Sequence, residues 1–121
     1  MNKPHKKLDT WKLAFELALR VYRSTERVPR EERFGLTDQI RRAVVSIPSN
    51  IAEGAARKSK KEFSQFLHVA RGSLSEMDTQ LELARQLGYL DEADWKDLNE
   101  QMERVDMTLA GLLRHQRSSH V

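Results

Sequence analysis

The sequence predicts an all-α chain folded as one antiparallel, up-and-down four-helix bundle. Three observations carry this: apolar residues recur at three- and four-residue steps in four separate stretches, capping or turn residues bound each stretch, and only five glycines and three prolines occur in 121 residues. A sheet-rich fold with many tight turns needs more of both. At this length a single domain is expected, since such a chain buries roughly 60–70% of its unfolded surface around one core.

The first helix is expected over residues 10–28, with Asp9 or Thr10 as its cap and Pro29 as its stop. Trp11, Phe15, Ala18 and Tyr22 form one apolar stripe, and Leu13, Leu17 and Val21 a second. So wide an arc exceeds one bundle seam. Either the helix is buried all round, or one stripe packs inside the subunit while the other meets a second subunit. Ahead of it, residues 1–8 carry Lys3, Lys6 and Lys7 with few apolar groups and read as a mobile basic arm. Behind it, residues 29–35 (PREERFG) form a charged connection with Phe34 as its anchor.

The second helix is expected over residues 36–57, opening at Leu36 or Thr37. Ile40, Val44, Ile47 and Ile51 share one face, while Arg41 and Arg42 project elsewhere. Pro48 lies inside the run, where it removes a backbone donor and presses on the carbonyl of Val44, so a kink is expected there. Ser46 and Ser49 flank it with hydroxyls suited to the polar groups that such a break frees. Asn50 and Glu53 share a face beside Gly54, and Gly54, like Gly72 on the next helix, permits close helix approach. Two readings stand for this group: a hydrogen-bonded contact between helices, or a polar surface that docks a partner.

Ser59 and Glu62 have capping-box spacing, which places the third helix over residues 60–87 with Gly88 as its C-terminal cap. Its row is Phe63, Phe66, Leu67, Ala70, Leu74, Met77, Leu81 and Ala84, and its length is about 40 Å at 1.5 Å per residue. Asp91 caps a fourth helix over residues 92–115, with a narrow seam of Trp95, Leu98, Met102, Val105, Leu109 and Leu112. The outer face of that helix is acidic, through Glu92, Asp97, Glu100, Glu103 and Asp106, and residues 115–121 are expected to fray.

Charge is divided along the chain. Residues 1–61 hold 15 Lys or Arg against 7 Asp or Glu, whereas residues 62–121 hold 6 against 11. The basic half suits phosphate or an acidic protein surface, and the acidic half suits the basic half of another copy. Arg57, Lys58, Lys60 and Lys61 concentrate four cations in five residues at a helix junction, with Arg41, Arg42 and Arg71 on the flanking helices as candidates to join them. Such a cluster neutralises nucleic-acid phosphates, or is simply a solvated turn. Phe63 and Phe66 belong to the core row, so contact with the backbone rather than stacking on bases is the expected mode.

Enzyme chemistry finds no support. No glutamate precedes a histidine by three residues, the spacing of di-iron bundles. His5, His68, His115 and His120 lack metal-ligand spacing, serines 46, 49, 64, 73 and 75 have no histidine and acid arranged around them, and there is no glycine-rich phosphate loop. Accordingly no catalytic residue, metal or cofactor is assigned. The absence of cysteine removes disulfides and thiolate sites, and with 32% charged residues, a mean hydropathy of −0.68 and no run of membrane-spanning length, a cytoplasmic location is expected and no membrane partner.

The run SIPSNIAEG at residues 46–54, followed by Arg57 and by Gly72, Ser73, Leu74 and Glu76, resembles the signature of the four-helix-bundle family of proteins encoded in intervening sequences of bacterial 23S ribosomal RNA genes. The accessory protein of diversity-generating retroelements looks like a relative. With the opening WKLA at residues 11–14, the resemblance spans about residues 8–90, and the last helix matches only in character. It implies an antiparallel bundle assembled as a homopentameric ring, no enzyme activity, and a basic surface that engages RNA, DNA or a nucleic-acid enzyme. On this view Ser46, Pro48, Ser49, Asn50, Glu53, Gly54 and Gly72 are motif residues with a structural or partner-docking role. Possible partners are RNA or DNA, a reverse transcriptase, or a ribosomal component.

Overall fold

The computed structural model describes residues 1–118. Four helices make up the bundle: α1 (Asp9–Thr25), α2 (Leu36–Ala55), α3 (Lys60–Gln86) and α4 (Glu92–Ser118), with 3-10 turns at Pro4–Lys7 and Arg30–Glu32. Each helix packs on two others, in the cyclic order α1, α2, α3, α4, and among the described residues the diagonal pairs do not meet. Short connections between consecutive helices force them antiparallel. The most extensive pairing is α2 on α3.

α1 begins at Asp9 with Leu8 as its N-cap, so neither Asp9 nor Thr10 serves as the capping side chain. It ends at Thr25 rather than near residue 28, where the Thr25 hydroxyl donates to the Val21 carbonyl at 2.7 Å. Ala14, Leu17 and Val21 are fully buried, and Leu13 packs partly buried against the core. Phe15 and Tyr22 of the other stripe face outward, with Trp11 half-buried and stacked on Phe15 at 5.1 Å between ring centroids. The helix is therefore not buried on all sides.

Two expectations near α1 are corrected. The N-terminal residues do not form a free arm: Pro4–Lys7 makes a 3-10 turn against α1 and α2, His5 sits edge-on to Trp11 at 5.1 Å, and Leu8 packs on the core. The His5 ring covers part of the Trp11 side chain and Leu8 adds apolar surface to the core, which a purely charged arm would not do. Phe34 is not the anchor of the first connection either, being 89% exposed with Arg33 at 5.6 Å from its ring, whereas Val28 is buried.

α2 runs unbroken through Pro48, which is itself buried, and stops at Ala55. Ile40, Val44, Ile47 and Ile51 have no exposed surface, and burial of each contributes roughly 1.5–3 kcal/mol relative to leaving it in water. Across to α3, the hydroxyls of Ser46 and Ser73 are 2.8 Å apart, and the Asn50 amide donates to the carbonyl (2.8 Å) and the hydroxyl (2.9 Å) of Ser46. At Gly54 an added Cβ would lie 2.7 Å from Phe63 Cδ1 and 2.9 Å from Phe66 Cβ. Gly72, by contrast, has nothing within 4 Å of such an atom and is exposed, so the close approach expected there does not occur.

α3 starts as its sequence indicates, with the Glu62 N–H donating to Ser59 Oγ at 3.1 Å. It closes on Gly88 at φ +78°, with the Tyr89 N–H donating to the Ala84 carbonyl at 2.9 Å, a left-handed cap that glycine reaches without a Cβ penalty. Asp91 caps α4 through the Asp94 N–H at 2.8 Å. The α4 seam buries Leu98, Met102, Val105 and Leu109 and then Leu113, with Leu112 only partly buried. α4 continues to Ser118, beyond the point where fraying was expected; residues 119–121 of that stretch lie outside the described residues. Arg85 binds α4 at its start: its guanidinium lies 4.0 Å from the Trp95 ring and 2.9 Å from Glu92, and that hydrogen bond holds the Glu92 carboxyl below its ordinary pKa.

The two helical glycines predict opposite outcomes. Gly54→Ala is expected to destabilise the protein by about 1–3 kcal/mol through overpacking against Phe63 and Phe66. Gly72→Ala is expected to stabilise it by about 0.5–1 kcal/mol, because the added methyl meets nothing and restricts the unfolded chain. Urea unfolding of both variants checks the pair.

Candidate nucleic-acid interface

The α2–α3 turn, residues 56–59, is made by local backbone bonds: the N–H groups of Ala56 and Arg57 donate to the carbonyls of Glu53 (3.2 Å) and Gly54 (3.1 Å). This small loop leaves its side chains no interior to enter. Arg57, Lys58, Lys60 and Lys61 are all exposed. Arg57 lies over the Phe66 ring at 4.9 Å, which steadies the guanidinium without neutralising it. No carboxylate among the described residues pairs with any of the four. The nearest in sequence, Glu62, accepts from the Ser59 hydroxyl at 3.3 Å.

Helix register adds cations that local sequence reading did not place here. Arg85–Glu92 and Arg71–Asp106 are separated by fourteen residues on both α3 and α4, so the two helices keep one register between these pairs. Eleven residues further, Arg117 comes level with Lys60, and Arg114, one turn earlier, is also exposed. On the other side, the Arg41–Thr25 contact places the start of α1 level with the end of α2. The turn bearing Lys6 and Lys7 therefore lies at this end of the bundle too. Among the described residues, Asp9, Glu53 and Glu62 are the carboxylates at the same level, and they are outnumbered. The signal for this gathering is the shortness of the helix connections, which pairs helix ends in an antiparallel bundle.

Three of the candidate arginines do not join the turn. Arg41 lies about 20 Å up α2 from Ala55 at 1.5 Å per residue, where its Nε donates to Thr25 Oγ1 (3.0 Å), its Nη2 to the Tyr22 carbonyl (3.1 Å), and its guanidinium covers the Tyr22 ring at 4.6 Å. It ties α2 to the last turn of α1. Arg42 is exposed and paired with Asp38 at 2.9 Å. Arg71 is bound to Asp106 on α4 at 2.8 Å, a hydrogen bond that raises the guanidinium pKa further and turns the group toward the α3–α4 seam. Helical spacing alone could not show that these cations have partners on other helices.

The motif residues divide in two. Ser46, Asn50 and Gly54 belong to the α2–α3 contact and Pro48 is buried, whereas Ser49, Glu53 and Gly72 face outward. Opposite in charge is an open groove of about 500 Å³ between α3 and α4, floored by Leu74 and Met102 and edged by Asp78, Glu103 and Asp106. Among the described residues, no group of three or more His, Asp or Glu side chains is placed to hold a metal ion.

A family profile described as 23S rRNA-intervening sequence protein matches residues 6–111, a span that includes most of α4. Curated proteins yield no match. Among solved structures, a protein of unknown function from the S23 ribosomal protein family of Bacteroides thetaiotaomicron superposes with a TM-score of 0.79 at 23% identity, covering 86% of this chain and 97% of that one. That likeness shows the fold.

The partners of Arg41 predict a structural phenotype. Arg41→Gln is expected to cost about 1–3 kcal/mol, since it removes charge-assisted bonds to a buried hydroxyl and a helix-end carbonyl. Lys60→Gln is expected to stay within about 0.5 kcal/mol of the parent. Thermal and urea unfolding of both variants test that order.

Proposed function

The chain belongs to the 23S rRNA-intervening sequence protein family, and from that premise we propose that it is a non-catalytic, self-associating cytoplasmic protein whose basic bundle end contacts the phosphate backbone of RNA or DNA. The observation that carries the proposal is the set of exposed cations Arg57, Lys58, Lys60 and Lys61, none of them paired with a carboxylate among the described residues. Unneutralised charges on a rigid turn release counterions from phosphate, which makes binding steep in salt. Among the described residues, the aromatic ring against them is Phe66, which is half-buried and covered by Arg57. Contact is therefore with phosphates, and sequence is not read.

Self-association is supported by α1. Phe15, Leu19 and Tyr22 are 47%, 38% and 41% exposed along one helix, an apolar strip that a second copy would cover. The pentameric ring that the family resemblance implies would present five basic ends together and turn weak single contacts into avidity. A second reading is favoured by Ser49, Glu53 and Gly72, motif residues that point outward without an internal role. In it the protein is a scaffold that docks a reverse transcriptase or a ribosomal component and leaves nucleic acid untouched.

In filter retention of structured RNA at low salt, Arg57→Glu combined with Lys60→Glu is expected to weaken binding at least about tenfold and to flatten the salt dependence by roughly one to two phosphate contacts. Unchanged retention would reject this surface, and a parent protein indifferent to RNA would favour the scaffold. Light scattering at micromolar concentration is expected to give an oligomer that Phe15→Glu dissociates. A monomeric parent protein would remove the self-association part of the proposal.

A further inference from the structure

At the other end of the bundle, where α1 passes through the Arg30–Glu32 turn into α2, lies an open cavity of about 320 Å³ lined by Thr25, Glu26, Arg30, Arg33, Thr37 and Arg41 together with the apolar Val28 and Pro29. Three arginines and Glu26 line it, and the Glu32 carboxylate lies beside Gly35 at the start of α2. Arg41 is held in place by Thr25 and the Tyr22 carbonyl, so it is a preorganised cation that keeps further N–H groups free. α2 opens into this space without a capping side chain, and the N–H groups of Leu36, Thr37 and Asp38 find no acceptor among the described residues. The first chain acceptor in use is the Gly35 carbonyl, bound by Gln39. Asp38, the carboxylate in that first turn, is engaged by Arg42.

The independent observation is Thr37. It is only 7% exposed, it lines the cavity, and its hydroxyl has no hydrogen-bond partner among the described residues, yet that hydroxyl is not sealed from solvent. A hydroxyl that makes no bond within the protein and remains accessible is available to a ligand that enters the cavity. We propose that this cavity binds a phosphoryl group, whose terminal oxygens would be met by the Thr37 hydroxyl, the first N–H groups of α2, and the guanidinium groups of Arg30, Arg33 and Arg41. A 20-residue helix contributes its positive end to the same point. Tetrahedral oxygens satisfy donors converging from a helix end, a hydroxyl and several arginines, whereas a planar carboxylate reaches fewer of them. The site is independent of the basic turn at the other end of α2. The phosphoryl group comes either from free phosphate or from the terminal phosphate of an RNA strand.

Calorimetric titration of the full chain with inorganic phosphate, against chloride at equal ionic strength, is expected to show saturable binding. Thr37→Val and Arg33→Gln should each weaken it at least about tenfold, and Lys96→Gln, at an exposed position on α4, should leave it unchanged. Arg30→Gln, at an exposed position, serves as the second variant if Thr37→Val unfolds, and circular dichroism reports that directly. A short 5′-phosphorylated RNA that binds tenfold tighter than phosphate, and loses that advantage as the 5′-hydroxyl form, assigns the site to RNA ends. Equal affinity for the two RNA forms, with phosphate binding intact, assigns it to free phosphate. Absence of saturation with phosphate and with 5′-phosphorylated RNA, or Thr37→Val and Arg33→Gln variants that bind like the parent, would overturn the proposal.

Discussion

The pressing of α2 onto α3, tight where Gly54 leaves no Cβ against Phe63 and Phe66, is the contact to which the other parts of the molecule are referred. Ile40, Val44, Ile47 and Ile51 supply its apolar area, and the Ser46, Ser73 and Asn50 bonds pin its register. A one-turn slip would drive Phe63 and Phe66 into side chains instead of the gap at Gly54, and a packed interior yields little. Once this pair is set, residues 56–59 have nowhere to go but outward. The concentration of charge on that turn follows from packing beneath it as much as from composition.

Cations in this protein fall into two populations. Arg20, Arg41, Arg71 and Arg85 have partners on neighbouring helices, and their flat guanidinium groups bridge seams between helices. Among the described residues, Lys58, Lys60 and Lys61 at the α2–α3 turn have none. A place on a turn does not by itself decide this, since Arg27 on the α1–α2 connection pairs with Asp91 and Asp94; what differs is whether a carboxylate stands opposite. Acidic residues of α4 are partly consumed in the same seams, through Asp97 to Arg20 and Asp106 to Arg71. Of these two, the Arg20–Asp97 pair brings a cation of the first half against a carboxylate of the second, whereas Arg71–Asp106 lies within the second half.

A wide apolar arc on α1 resolves into an inner row of Ala14, Leu17 and Val21 and an outer row of Phe15, Leu19 and Tyr22. The outer row keeps its rings ordered without burying them: Trp11 stacks on Phe15, and Arg41 covers Tyr22. Preordered aromatic surface loses little further side-chain freedom when something docks on it. The cavity beside Thr37 shares Arg41 with this face, so one arginine borders both surfaces at that end of the bundle.

Periodicity and punctuation, read without coordinates, sufficed for four helices, for the caps at Ser59, Asp91 and Gly88, and for most of the core, because these depend on residues within one turn of each other. The motif around Pro48 and Gly54 was enough to identify the family. Tertiary structure alone decided which arginines are engaged, that Gly72 is open where Gly54 is tight, that Phe34 is exposed while Val28 anchors the loop, and that Arg117 stands level with Lys60. Each of these depends on what a neighbouring helix places opposite a given side chain. That is a property of register between segments far apart in the chain, and no local pattern encodes it.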